Sequence, residues 1–240
     1  MNFEGEKGIE IAGFEIADHV LARIGWLLPL LTVVFSMSIH VLSGNARAVP
    51  FFISESDFPG LERLIFTTGL AVNGVIICII SYRFQLLFKS STKSKTSRLA
   101  FVSGITTGVA LFVLAFANMY DALLLHCVVA ILVFGGGLSW CASTHLLFET
   151  TETVSRKLRR IGLGIAAFGF VVMNASLVTF IATHRDEFNN DNSLALMLNT
   201  LQPAIDYAAP AEYLLFLGLV VALASFEHDL KAKVSVQSND

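Results

Sequence analysis

Six long apolar segments constrain this chain more than any other feature of its sequence. They cover approximately residues 21–42, 61–88, 99–119, 122–148, 158–183 and 211–226. About 20 mostly apolar residues are enough to cross a bilayer as a helix. Lipid cannot satisfy open backbone groups, and no alternating barrel pattern is present, so each segment is predicted to be helical. The predicted fold class is therefore all-α: a polytopic membrane protein with a six-transmembrane-helix bundle.

The composition excludes the main soluble alternatives. Of the 240 residues, 55% are hydrophobic and only 15% are charged, whereas a soluble domain has roughly 25% charged residues. The net charge of -3 argues against nucleic acid as a partner. All three cysteines, Cys78, Cys127 and Cys141, fall within apolar segments. Neither a disulfide framework nor a zinc site of cysteines and histidines is therefore predicted.

The distribution of lysine and arginine predicts the orientation. With a cytoplasmic N-terminus, all 16 of these residues except Arg47, Arg63 and Arg185 fall on the cytoplasmic side. Membrane proteins concentrate Lys and Arg in cytoplasmic loops, so both termini are predicted to be cytoplasmic. Residues 1–20 are acidic and mixed, unlike a signal peptide. The predicted organisation is an N-terminal segment (1–20), a membrane domain (21–230) and a cytoplasmic tail (231–240).

Two basic runs lie on the predicted cytoplasmic side. One interpretation is that they only fix the topology. The other is that they bind anionic lipids, to which each basic residue near the surface contributes about 1 kcal/mol. The candidate lipid-facing residues are Lys89, Lys93, Lys95, Arg156, Lys157, Arg159 and Arg160.

Two outer loops are long enough to carry function. The first, residues 43–60, is aromatic, contains carboxylates and is bracketed by Pro50 and Pro59, which predicts a folded cap. The other long loop, residues 184–209, is acidic, and residues 193–201 within it predict a short interfacial helix.

Polar residues at membrane depth are costly and are functional candidates by default. Here they concentrate at the outer ends of the spans: Glu62 and Arg63, Asp121, His126 about one turn deeper, and Glu212. One interpretation is structural, with Arg63 pairing to Glu212 or Asp121. The alternative is a pocket for a lipid or its headgroup.

A catalytic site is not predicted. Ser36 and His40 share one helical face and could be joined by Asp121 and His126. An intramembrane zinc hydrolase would need a second pair of histidines, which is missing. Neither a Gly-x-Ser-x-Gly sequence nor a phosphate-binding loop occurs. The interpretation leans towards a protein that is not an enzyme, with no metal and no cofactor.

Several sequence blocks occur in an order that resembles a known family. They are Leu28-Pro29, the loop PFFISESDFPGLERLIF, LHCVVAILVFGGGLSW in the fourth span, and AEYLLF and SFEHDL in the sixth. The chain thereby resembles the Frag/DRAM/Sfk family of six-span membrane proteins over about residues 20–230. Glu55-Ser56-Asp57 departs from the family's usual Asp-x-Gly at this place. The matching positions that the resemblance marks as site candidates are Pro50, Ile53, Ser54, Pro59, Glu62, His126 and Glu212.

The resemblance implies several roles. DRAM-type members act in autophagy and lysosomes, Sfk-type members recruit phosphoinositide kinase at the plasma membrane, and a third branch remodels the lipid of GPI anchors. The expected function is a non-enzymatic regulator or scaffold of the DRAM type, with a lipid-handling factor as the alternative. The expected partners are membrane lipids and cytosolic regulatory proteins. The expected location is the lysosome or another endomembrane, with the plasma membrane as the alternative.

Overall fold

The computed structural model describes residues 8–11, 13–89, 92–148, 153–184 and 193–237. Within these ranges, six helices are long and apolar enough to cross a membrane, which confirms the predicted all-α polytopic class. A seventh, short helix precedes the last span and confirms the predicted interfacial helix. The helices are α1 (Asp18–Leu42), α2 (Leu61–Leu87), α3 (Ser94–Leu114), α4 (Leu123–Leu147), α5 (Val154–Thr183), α6 (Leu194–Thr200) and α7 (Gln202–Gln237).

The turn between α3 and α4 is longer than predicted. The third span was expected to reach residue 119, but α3 ends at Leu114. The side-chain oxygen of Asn118 accepts the backbone N–H groups of Tyr120 and Asp121, at 3.0 and 2.9 Å. Such local bonds of asparagine compete with helical hydrogen bonds. The third span therefore ends earlier in the chain than predicted.

The last span begins earlier than predicted. It was expected to start at about residue 211, whereas α7 starts at Gln202 and contains Pro210 in its interior. The helical turns before the proline bury Ile205, Ala208 and Ala209 completely. Packing of such a face contributes more to helix stability than local propensity does, so the helix continues through the proline.

A short antiparallel hairpin precedes α1 and was not predicted. Its strands are β1 (Ile9–Ile11) and β2 (Phe14–Ile16), and Gly13 supplies the positive φ of the turn. Ile9 and Ile16 pack against the apolar core at one end of the bundle, called here the inner end. The opposite, outer end carries the loop of residues 43–60. Parts of the predicted terminal segments and of the acidic outer loop (residues 1–7, 12, 185–192 and 238–240) lie outside the described residues.

The helices form an incomplete ring. Helix α1 packs on α2 and α7, α2 packs on α3, α3 packs on α4, and α5 packs on α7. Small residues permit the close approach of α5 and α7, since a Cβ on Gly162 would lie 2.6 Å from the carbonyl oxygen of Gly218. Helix α4 meets α5 and α7 only sparsely. The ring is therefore loosest at the seam between α4 and α7.

The inner end is held by three pairs of arginine and carboxylate, here called the arginine layer. Arg83 on α2 lies 2.8 Å from Asp18, and Arg23 on α1 lies 2.7 Å from Glu227 on α7. The third pair joins Arg159 on α5 to Asp229 on α7. Each pair connects two different helices. The layer therefore closes the inner end of the bundle.

Candidate functional site

The loop of residues 43–60 folds into a cap over the outer end, as predicted. Its centre is a 3-10 helix, Ile53–Ser56, and the side chains of Phe51, Ile53, Glu55 and Asp57 are buried. One oxygen of Glu55 accepts the backbone N–H of Phe52 at 3.0 Å. The carboxylate that departs from the family pattern at this place thus holds the backbone of the cap.

Helix α7 anchors the backbone of the cap. Glu212 Oε2 accepts the N–H of Ile53 at 2.7 Å. The next residue, Tyr213, donates its hydroxyl proton to the carbonyl of Phe51. Gln202 Nε2 donates to the carbonyl of Pro50 at 3.2 Å. The start of the sixth span therefore contributes to the cap directly, which the sequence blocks alone did not reveal.

Arg63 serves a different part of the cap. Its guanidinium donates to the carbonyl of Asp57 at 3.1 Å and lies 3.7 Å from the carboxylate of Asp121. Of the two partners expected for Arg63, the structure places Asp121 next to it, while Glu212 binds the backbone of Ile53 instead. Asp121 itself is 70% exposed, so it lies at the surface of the bundle.

The carboxyl group of Asp57 is buried and receives no hydrogen bond from the residues that the structure describes. Arg63 Nε is 3.5 Å away. Burial raises the pKa of Asp57 to about 7, against the opposing effect of Arg63 and with a further rise from Asp121. This group therefore changes its protonation near neutral pH.

A second polar group under the cap involves residues that the predicted site did not include. Ser36 on α1 lies 3.1 Å from the hydroxyl of Ser56 in the cap. Asn45 donates to Glu62 at 2.7 Å, and His40 lies 3.7 Å from the same carboxylate oxygen. The shared helical face of Ser36 and His40 was the available signal. Within the described part of the chain, no three His, Cys, Asp or Glu side chains are grouped to hold a metal ion.

The two loop prolines lie at the edges of the cap. Pro50 is half-buried, and Pro59 is exposed immediately before α2. Ser54, by contrast, points inward and lines a cavity.

This cavity lies beneath the cap in the interior of the bundle and is lined by residues of α1, α2, α3, α4 and α7. Its volume is about 120 Å³. Its outer end is polar, with Ile53, Ser54, His126 and Glu212. The walls below are mostly apolar, with Val33, Leu70, Val133, Phe134, Phe216 and Leu219, and they include the polar side chains of Asn73 and Thr107. Trp140, Cys141 and Leu223 lie at the inner end.

His126 and Glu212 are only 6% and 7% exposed. Nδ1 of His126 lies 2.8 Å from the carbonyl oxygen of Ala117, so this nitrogen carries the ring proton of the neutral imidazole. The other ring nitrogen, Nε2, then has a free lone pair. Glu212 uses Oε2 for the cap. Its other oxygen has no hydrogen-bond partner among the described residues.

Phe134 and Phe216 line the cavity from α4 and α7, the two helices at the loosest seam of the ring. Both side chains are only half-buried. Leu132 and Leu217, their neighbours on the same helices, face outward with 45% and 46% exposure. This seam is therefore the candidate route between the cavity and the membrane.

The predicted basic residues at the inner end fall into two groups. Arg159 is not lipid-facing, because its side chain is 1% exposed. It donates to Ser225 at 2.9 Å, pairs with Asp229 and lies over the ring of Phe226 at 4.3 Å. These contacts compensate for the removal of its charge from water. The other six predicted residues are exposed or half-buried: Lys89, Lys93, Lys95, Arg156, Lys157 and Arg160.

A family model described as the Frag1/DRAM/Sfk1/Cwh43P N-terminal domain matches residues 19–233. Searches of curated proteins and of solved structures found no match. The matched range includes the cap, the cavity and all of the arginine layer except Asp18.

Proposed function

The chain belongs to the Frag1/DRAM/Sfk1/Cwh43P family of membrane proteins, and we propose that it is a non-enzymatic regulator that binds a membrane lipid in the cavity. The observation that carries this proposal is the cavity itself, which is mostly apolar along its length and polar at its outer end. In this proposal the lipid enters through the seam between α4 and α7. Ligand sites commonly combine apolar walls with a few placed polar groups. Among the roles that the family resemblance implies, lipid handling is the one supported by this geometry.

The dimensions favour a lipid with a single chain. An apolar cavity of about 150 Å³ accommodates a molecule the size of benzene. The present cavity, of about 120 Å³, is comparable. It holds a segment of one chain beneath the cap, while the rest of the lipid occupies the seam between Phe134 and Phe216. A phospholipid with two chains would leave one chain in the bilayer.

Two phenylalanine substitutions on α4 test the proposal. Val133 is 8% exposed and lines the cavity, whereas its neighbour Leu132 is 45% exposed and faces the membrane. Val133→Phe should fill the cavity and Leu132→Phe should not. Native mass spectrometry of the purified proteins, with lipidomics, should find a lipid enriched on the wild type and on Leu132→Phe but lost from Val133→Phe. Equal lipid content in all three proteins, or no enriched lipid on the wild type, would refute the proposal.

A second role is favoured by the exposed basic side chains at the inner end. We propose that Lys89, Lys95 and Lys157 contact anionic lipids or a cytosolic regulatory protein. The predicted topology places these side chains on the cytoplasmic side of the membrane. All three are exposed, and charges of this kind act within about 10 Å of a membrane surface. In nanodiscs, replacing them with glutamine should weaken binding of a phosphoinositide and reduce its salt dependence. Unchanged binding would mean that these residues only fix the orientation of the chain in the membrane.

The proposed location is an endomembrane with an acidic lumen, the lysosome above all, where the protein modulates autophagy. The cap would then face the lumen, and Asp57, with a pKa of about 7, would be neutral there. A neutral carboxyl suits a buried site that supplies it with no hydrogen bond. Fluorescence microscopy of the tagged chain with lysosomal and plasma-membrane markers tests the location. Autophagic flux in cells that express Val133→Phe tests the role.

A further inference from the structure

We infer that the head of the bound lipid donates hydrogen bonds and carries no negative charge, so that the ligand is a single-chain alcohol or amine. The inference rests on the proposed function, because it assigns the chemistry of the lipid head at the polar end of the same cavity. Fatty acids and lipids with a phosphate at this position are excluded by it.

His126 presents a hydrogen-bond acceptor to the ligand. Its Nδ1–H donates to the carbonyl oxygen of Ala117 at 2.8 Å, which leaves Nε2 as a hydrogen-bond acceptor. The ring is 6% exposed and lines the cavity. Nε2 has no hydrogen-bond partner among the described residues, so a donor on a ligand in the cavity can satisfy it. A hydroxyl or ammonium group meets this requirement, whereas an ionised carboxylate or a fully ionised phosphate offers acceptors only.

Glu212 presents a carboxyl oxygen to the same end of the cavity. Its Oε2 is occupied by the N–H of Ile53, and within the described residues no Lys or Arg pairs with this carboxyl group. The second oxygen therefore remains for a ligand at the polar end of the cavity. An ammonium group would neutralise an ionised Glu212, and a hydroxyl can donate to it or accept from its protonated form. An anion at this place would face a carboxyl group with no cation beside it.

Among the described residues, the two arginines that contact the cap are already engaged there. Arg47 lies 3.3 Å from Glu55 and also donates to Gln202 at 2.7 Å. Arg63 is held by the carbonyl of Asp57 and by Asp121. Neither guanidinium is among the groups that line the cavity. Among the described residues, no cation therefore lines the polar end of the cavity to balance an anionic lipid head.

A set of three photoaffinity probes tests the inference on the wild-type protein in nanodiscs. The probes share one alkyl chain with a diazirine and differ only in the head, which is a hydroxyl, an ammonium or a carboxylate. The hydroxyl or the ammonium probe should label peptides of α4 and α7 at least about tenfold more strongly than the carboxylate probe. Val133→Phe should abolish this labelling, and Leu132→Phe should not.

The variant Glu212→Gln distinguishes an amine ligand from an alcohol ligand. The glutamine carbonyl still accepts the N–H of Ile53, so the cap keeps its anchor. If the ligand is an amine, this variant should lose labelling by the ammonium probe; if the ligand is an alcohol, labelling by the hydroxyl probe should persist. Equal or stronger labelling by the carboxylate probe in the wild type would overturn the inference and leave the proposed function standing. Failure of every probe to label the cavity would overturn both.

Discussion

The two ends of the bundle both bury carboxylates, but they neutralise them differently. At the inner end, Asp18, Glu227 and Asp229 each face an arginine on another helix. At the outer end, two carboxylates of the cap also face arginines, Glu55 with Arg47 and Asp57 with Arg63. Two others have different partners among the described residues, since Asn45 donates to Glu62 near His40 and Glu212 accepts a backbone N–H. The inner pairs use the charges to join helices. Glu212 instead retains an unused acceptor oxygen beside the cavity, which is where a ligand can bind.

This comparison predicts that loss of an inner arginine is the most damaging change. Arg159→Met should destabilise the protein by about 3–5 kcal/mol, because Asp229 would remain without its partner in a largely buried position. Thermal unfolding in detergent measures the effect. The double variant Arg159→Met with Asp229→Asn should regain part of the loss.

Arg98 on α3 provides the matched control for this prediction. It is an exposed arginine at the same end of the bundle. Arg98→Met should change stability by no more than about 0.5 kcal/mol. Equal destabilisation by the two substitutions would show that the arginine layer does not hold the inner end.

An intermediate effect is expected from removing the anchor of the cap. Glu212→Ala leaves the buried N–H of Ile53 without an acceptor, at a cost of about 1–3 kcal/mol. Glu212→Gln retains an acceptor and should cost less. Hydrogen exchange should report faster exchange for residues 50–57 in the alanine variant, with the inner end unchanged. If exchange increases throughout the bundle instead, the two ends are not independent.

A further effect is expected from pH and concerns only the outer end. The pKa of Asp57 rises from 3.8 to about 7 on folding, so the folded protein binds more protons than the unfolded chain between these values. The stability supplied by the protonated carboxyl is therefore lost as the pH rises from about 4 to about 7. The unfolding temperature should be higher at about pH 5 than at about pH 8.

The variant Asp57→Asn cannot titrate at this position. Its unfolding temperature should depend less on pH over the same range than that of the wild type. An identical pH profile in the two proteins would mean that another group controls the dependence.

The six spans could be predicted from the sequence because the hydrophobicity of each segment alone indicates a membrane-spanning helix, without knowledge of its contacts. It was insufficient where a single side chain competes with the helix, as Asn118 does, or where packing carries the helix through a proline, as at Pro210. Arg159 was misassigned because it lies in a basic run. The helical spacing of Ser155, Arg159, Gly162 and Ala166, all buried on one face of α5, was the signal that would have corrected it.

The candidate site could be predicted only in part, for a related reason. Glu212 and His126 were identifiable as polar residues at membrane depth, which are costly wherever they occur. Their actual partners are the backbone groups of Ile53 and Ala117. Every residue carries such groups, so a residue pattern does not reveal which of them will be used.

A structure of the protein in nanodiscs with a bound antibody fragment tests most directly whether the outer cavity holds a lipid. We expect elongated density that enters between Phe134 and Phe216 and ends beside His126 and Glu212. A seam closed by these two phenylalanines, with the cavity filled by side chains and no such density, would contradict it.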